Sequence, residues 1–179
     1  MNTTYSNSHI TLRILDERYS GNILDFYTKN QLYFDIYEMD KPHSFYTLDF
    51  IKKMTKAEYN SFIQQTFIRY FLFANNNPEQ IIGCVSFSDI KKSMLSCTIG
   101  YKIDKNYQNS GYGRRMLTMA LKIIVTEYNM HRIEAYIHPC NQASLHLVKT
   151  LGFIDEGTAY AYAKINGQWI DHLRFVYIS

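Results

Sequence analysis

The 179-residue chain is 46% apolar and only 20% charged, a balance that fits one globular domain spanning residues 1–179 and excludes a disordered or fibrous chain. Its net charge of +3, with no basic run, favours anionic ligands slightly and argues against direct nucleic-acid binding. Cys84, Cys97 and Cys140 are odd in number and lack C-x-x-C spacing, so neither a disulfide framework nor a metal site is expected. The first nine residues are polar and no apolar run suits a membrane span, so a cytoplasmic protein with reduced thiols is expected.

Residues 1–8 read as a loose start. Ile10, Leu12 and Ile14 alternate as a first strand. Asp16 is placed to cap a helix whose stripe is Ile23, Phe26, Tyr27 and Asn30. The aromatic stretch from Tyr33 to Tyr46, with Pro42, reads as a loop. A second helix follows from about Thr47 to Thr66, its apolar face being Leu48, Ile51, Met54 or Thr55, Tyr59, Phe62 and Ile63. The pattern then turns β-branched and aromatic. Strands are expected over Phe67–Ala74, Gln80–Asp89 and Met94–Ile103, with turns at Asn75–Pro78 and Lys91–Ser93.

Gln108 to Arg115 reads Q-N-S-G-Y-G-R-R. A helical stripe starts at once with Met116, Leu117, Ala120, Leu121, Ile124 and Tyr128. A helix N-terminus has unpaired N–H groups and partial positive charge, so acids are favoured there. This one instead carries Arg114 and Arg115, an arrangement that suits an anion at the loop. The Walker form is absent, and Met116 stands where a dinucleotide fingerprint needs its third glycine. A strand follows over His131–His138, ended by Pro139. Asn141 fits an N-cap for a short helix through Leu145, Val148 and Leu151, with Lys149 near its end and Gly152 at C′. Phe153 opens another strand, and Asn166-Gly167 marks a hairpin. The order of elements predicts a mixed α/β domain around one sheet, and the aromatic final hairpin makes a homodimer plausible.

The segment I-G-Y-K-I-D-K-N-Y-Q-N-S-G-Y-G-R-R (Ile99 to Arg115) resembles the GNAT superfamily of N-acetyltransferases. The segment H-R-I-E-A-Y-I-H-P-C-N-Q-A-S-L-H-L-V-K-T-L-G-F (His131 to Phe153) is similar to its RimJ/RimL-like, ribosomal-protein branch. The resemblance covers roughly residues 9–178. It implies an α/β (α+β) fold with a mainly antiparallel central sheet, flanked by helices and splayed at the cofactor site. It implies acetyl-CoA as cosubstrate, bound at its pyrophosphate by Gln108, Asn109, Ser110, Gly111, Tyr112, Gly113 and Arg114. The pantetheine arm would pair with backbone around Tyr101 to Ile103. Asn141 would hydrogen-bond that arm while also capping its helix, and Lys149 either reaches the phosphate end or is a solvated C-terminal cation.

The implied reaction is direct acetyl transfer to an amine, with an oxyanion stabiliser near Thr98 to Gly100 and no covalent enzyme intermediate, leaving Cys97 as a buried structural thiol. Ser144 holds the N-x-x-S position of a proposed proton donor to sulfur, or assists the cap. The tyrosine that many relatives carry one turn further on is Val148 here. Thr98 stands where this branch often has a glutamate base. Glu134 and His138, on one strand face with Tyr136, are the alternatives, and His138 has the more suitable ordinary pKa. The acceptor would enter over Tyr33–Tyr46 and Tyr160–Trp169, where Asp35, Glu38 and Asp40 could attract a cationic amine. A protein N-terminus, a polyamine and a small amine all remain open, as does an acyl-CoA-binding module without turnover.

Overall fold

The computed structural model describes residues 2–179. The strands are β1 (Thr4–Ser6), β2 (Ile10–Arg13), β3 (Ile68–Ala74), β4 (Asn77–Lys91), β5 (Ser96–Ile103), β6 (Arg132–Ile137), β7 (Ile154–Ile165) and β8 (Gln168–Ile178). The helices are α1 (Ser20–Phe34), α2 (Leu48–Gln64), α3 (Tyr112–Thr126) and α4 (Gln142–Thr150). One sheet holds all eight strands in the order β1-β2-β3-β4-β5-β6-β8-β7. Every neighbouring pair is antiparallel except β5 and β6. This is the mixed, mainly antiparallel α/β architecture expected from the sequence.

Both faces of the sheet are covered, which explains why β3 reads as a nearly continuous apolar run. Tyr70 and Leu72 join Val85, Phe87, Ile99, Met116, Leu117, Ile124 and Val148 in the core beneath α3 and α4. Phe71 and Phe73 point the other way and pack with Cys84, Ile23, Phe26, Tyr27 and Ile51 beneath α1 and α2. The sheet is therefore sandwiched between two helix pairs. No helix among the described residues is long and apolar enough to cross a membrane.

Three local expectations are corrected. The stretch read as a loose start contains β1, whose Tyr5 pairs with Leu12 and whose ring packs edge-on to Tyr70 at 5.7 Å. Its polar composition hides an edge strand held by only one neighbour. Asp16 caps a short 3₁₀ turn at Glu17–Tyr19, accepting from the Arg18 N–H, and α1 begins only at Ser20. On α2 the buried line is Ile51, Thr55 and Phe62. Leu48 and Ile63 face solvent, because the helix lies on a surface narrower than its apolar stripe.

The parallel pair creates the opening that matters. β5 and β6 pair as Ser96 with Arg132, Cys97 with Ile133 and Thr98 with Glu134. Beyond these positions both strands continue, to Ile103 and Ile137, without pairing to each other. The sheet thus splits after Thr98, leaving a free backbone edge on β5.

Candidate active site

The split opens into a cavity of about 1050 Å³. Its floor comes from Thr98, Gly100, Tyr101, Lys102 and Ile103 on one side and Tyr136, Ile137 and His138 on the other. One end is the loop before α3. Gly111 is the N-cap, left-handed at φ +77°, and among the described residues no side chain caps this helix. Asn109 is left-handed as well, at φ 56°. No acid lies in the first turn, so the first-turn N–H groups form an open donor set carrying the positive end of the helix dipole.

The two arginines do different jobs. Arg115 folds back, its Nη1 donating to the Ser110 carbonyl at 3.1 Å with its guanidinium over the Tyr112 ring. Arg114 lines the cavity with Gln108, Asn109, Gly111 and Gly113. Ser110 and Tyr112, expected in the same set, lie outside the lining. Ser110 Oγ donates to the Gln108 carbonyl at 3.1 Å, and Tyr112 packs edge-on against Tyr107 at 5.8 Å. Gly113 lets α3 approach its neighbours, since a Cβ there would sit 3.3 Å from Leu147 Cδ2 and 3.7 Å from Ile103 Cγ1.

The loop is anchored from below. Asp104, 1% exposed, accepts from the Asn106 N–H and pairs with Lys29 Nζ at 2.9 Å. Asn30 Oδ1 accepts from the Lys105 N–H at 3.0 Å. A buried, fully bonded carboxylate and amide hold the β5–α3 connection against α1, so the donor set is fixed in advance.

On the far wall, Asn141 Oδ1 accepts from the Ser144 N–H at 3.1 Å and starts α4. Its side-chain amide nitrogen remains available. Ser144 faces the cavity, and its Oγ lies 2.6 Å from the Tyr101 hydroxyl. Burial pushes the Tyr101 phenol up to about 12, against a smaller opposing effect of the Ser144 bond. The sequence suggested Tyr101 only for its backbone, and missed this pair because its members lie 43 residues apart. Val148 is fully buried. Lys149 is outside the lining, with its Nζ 5.9 Å from the Phe175 ring centroid. His146, Leu147 and Thr150 occupy the cavity face of α4 instead.

The expected base candidates separate. Glu134 is not among the cavity-lining residues. It takes hydrogen bonds from Arg132 Nε and the Tyr136 hydroxyl, each at 2.8 Å. Burial alone would raise its carboxyl, but these bonds hold it below the ordinary value. Alternation put Glu134 on the right face, but too close to the paired end of β6 to reach the opening. His138 does line the cavity, as does Thr98. Its Nδ1 accepts from the Cys140 N–H at 3.1 Å. His172 on β8, which the sequence did not single out, packs edge-on against it at 5.7 Å. The register pairs Ile137 with Leu173 and so brings the two histidines side by side, a relation that local periodicity does not carry. Cys97 is buried, and burial followed by the Glu134 charge pushes its thiol up to about 12, a poor setting for a nucleophile.

The mouth opposite the loop is built by the connection between α1 and α2 and by the last hairpin. Asp40 accepts from the Asn166 and Gly167 N–H groups at 2.6 and 3.0 Å, clamping the connection to the hairpin turn. Lys41 Nζ bonds Asp35 at 2.5 Å and Glu38 at 2.9 Å, and Lys102 Nζ bonds Glu38 at 2.5 Å. Burial raises the Glu38 carboxyl, but Lys102 and then Lys41 outweigh it and hold it below its usual range. All three acids expected to draw in a cation are therefore already occupied.

Comparison with known proteins agrees with this geometry. The model of the acetyltransferase (GNAT) domain family matches residues 11–154. The ribosomal protein uS5-alanine N-acetyltransferase of Escherichia coli is 29% identical over 171 residues, covering 94% of this chain and 87% of its own. The spermidine N(1)-acetyltransferase of Vibrio cholerae is 26% identical over 168 residues, covering 92% and 90%. The crystal structure of the ribosomal-protein-S5-alanine acetyltransferase of Vibrio fischeri superimposes with a TM-score of 0.92 at 26% identity, covering 99% of this chain and 97% of that one. A split parallel pair, a glycine loop with open helix donors and a family match across most of the chain lead to one conclusion: the chain belongs to the GNAT acetyltransferase family.

Proposed function

We propose that this acetyltransferase carries acetyl from acetyl-CoA to the α-amine of a protein N-terminus. Acetyl-CoA fits the residues present. Its pyrophosphate suits the open N–H groups at the start of α3 with Arg114 beside them. Its pantetheine amides suit the unpaired β5 edge from Tyr101 to Ile103 and the spare amide of Asn141. Gly113, where a Cβ would crowd Leu147, keeps that wall close.

The cosubstrate supplies an activated acetyl thioester; the chain supplies placement and proton handling. Backbone N–H groups between Thr98 and Gly100 would face the acetyl oxygen. Ser144 Oγ, steadied by the Tyr101 hydroxyl at 2.6 Å, would give a proton to the departing sulfur. The same pair favours turnover over a module that only binds acyl-CoA, since binding alone needs no hydroxyl relay on that wall.

One observation carries the choice of acceptor: the acids of the α1–α2 connection are already bonded, Asp35 and Glu38 to lysines and Asp40 to the hairpin turn. Among charged side chains lining the cavity, Lys41, Arg69, Lys102 and Arg114 face only Glu38 and Asp40. A polyamine carries further cations that would find no free carboxylate, whereas a peptide α-amine, with an ordinary pKa of roughly 7.7–8.0, loses its single charge just above neutrality and needs none. The test is kcat/KM with acetyl-CoA for an alanine-initiated peptide against spermidine. Preference for the peptide by tenfold or more is expected on 1.4 kcal/mol of discrimination. Preference for spermidine overturns the acceptor assignment, and binding of acetyl-CoA without turnover of either amine supports the binding module.

A further inference from the structure

We infer that His172, not His138, receives the proton released by the attacking amine. The inference rests on the acetyl-transfer reading of the same site and is forced by backbone groups around the two rings. A backbone N–H can only donate, so His138 Nδ1, which contacts the Cys140 N–H at 3.1 Å, holds its lone pair there. Neutral His138 therefore carries its proton on Nε2 and has no free lone pair. A carbonyl can only accept, so His172 Nδ1, 3.2 Å from the Ile170 oxygen, carries the proton. Neutral His172 therefore holds its lone pair on Nε2, which has no protein partner among the described residues.

His172 is 5% exposed and lines the cavity. Its ring is fixed between His138 at 5.7 Å and Tyr162 at 5.1 Å, and Tyr162 is itself stacked on Tyr136 at 4.2 Å. Tyr37 of the α1–α2 connection packs edge-on against His138 at 5.5 Å. The titratable groups facing His172 are thus His138 just after β6 and Tyr162 from β7, with Asp171 adjacent on β8. Burial lowers the His172 pKa, against the opposing Ile170 bond and a smaller opposing effect of Asp171 and with His138 adding to the lowering, which favours the neutral ring.

The step balances. The amine nitrogen forms a bond to the acetyl carbon and the carbon–sulfur bond breaks. The surplus amine proton goes to His172 Nε2 and from there to solvent, while the sulfur takes its proton from Ser144 Oγ, which regains one from solvent through the Tyr101 hydroxyl at 2.6 Å. His138 Nε2–H serves as a donor at the same rim, a positioning role. Thr98, which cannot ionise, then needs no part in the proton transfer.

The test combines pH–rate profiles and ring-nitrogen NMR on the whole protein, with acetyl-CoA and an alanine-initiated tetrapeptide as probes. In the native protein, long-range ¹H–¹⁵N spectra at pH 7.5 should show His172 as the Nδ1–H tautomer and His138 as the Nε2–H tautomer. His172→Gln should lower kcat by about 10²-fold or more and abolish the acid limb of the profile. His138→Gln should keep that limb. Acetyl-CoA should still shift the unfolding temperature of both variants, showing that each is folded. An Nε2–H tautomer at His172, or an acid limb that survives in His172→Gln and vanishes in His138→Gln, would overturn the inference.

Discussion

Replacing Tyr101 by Phe removes one oxygen and leaves the ring wedged between β5 and α4. The lost hydroxyl lies 2.6 Å from Ser144 Oγ and 3.4 Å from the Ser144 carbonyl. A hydrogen bond of this kind contributes a net 0.5–1.5 kcal/mol, roughly. If the bond aims the Ser144 proton at the sulfur, that energy appears in the barrier, and kcat falls about 2- to 12-fold. Ser144→Ala removes the donor itself and should cost about 10²- to 10⁴-fold in kcat. The double variant should be no slower than Ser144→Ala, because Tyr101 has nothing left to aim. Steady-state release of the CoA thiol, followed with a chromogenic disulfide at saturating acetyl-CoA, measures all three. Losses that simply multiply, or a Ser144→Ala enzyme within roughly threefold of wild type, a barrier change under 1 kcal/mol, would refute the relay.

Other perturbations reach different parts of the site. A Cβ at Gly83 would lie 2.7 Å from the Lys102 carbonyl oxygen and 2.8 Å from Ile103 Cδ1, so Gly83→Ala should destabilise by about 1–3 kcal/mol in urea unfolding; an unchanged midpoint would show that β4 and β5 separate easily. Arg114→Gln should weaken acetyl-CoA binding about tenfold and flatten its salt dependence, measured by calorimetry at two ionic strengths, whereas equal affinity would place the phosphates elsewhere. Asp40→Ala removes both bonds to the hairpin turn and should raise KM for the peptide while leaving KM for acetyl-CoA unchanged. Glu38 and Glu134 are held below their ordinary value of 4.5. Their stabilising contribution is complete above that pH and is lost as the pH falls through the lowered folded values. The unfolding temperature should accordingly drop on acidification below about 4.5, and less so in Glu134→Gln; an equal drop would remove Glu134 from the acid response.

What the sequence revealed follows from what is local. The α3 stripe, the glycine loop and the Asn141 cap each lie within one turn of the residues that define them, and the structure shows them where the pattern put them. The splayed β5–β6 pair followed from resemblance and is present. What stayed hidden depends on contacts between distant elements. Tyr101 meets Ser144 across 43 residues. His172 meets His138 only through the β6–β8 register. Asp35, Glu38 and Asp40 read as free acids on a loop, and only the fold brings Lys41, Lys102 and the hairpin turn to them. Lys149 sits on α4 one position away from the cavity face, beyond what a helical period resolves over a short helix.

The most direct test of the site is thermal unfolding with and without acetyl-CoA, with a free adenine nucleotide as control. At 100 times its Kd the cosubstrate should stabilise by about 2.7 kcal/mol, which for a chain of this size raises the unfolding temperature by roughly 5–10 °C. The nucleotide, lacking the pantetheine arm for the β5 edge, should give a much smaller shift. No shift at saturating acetyl-CoA would contradict the assignment of the Gln108 to Arg115 loop as its phosphate cradle.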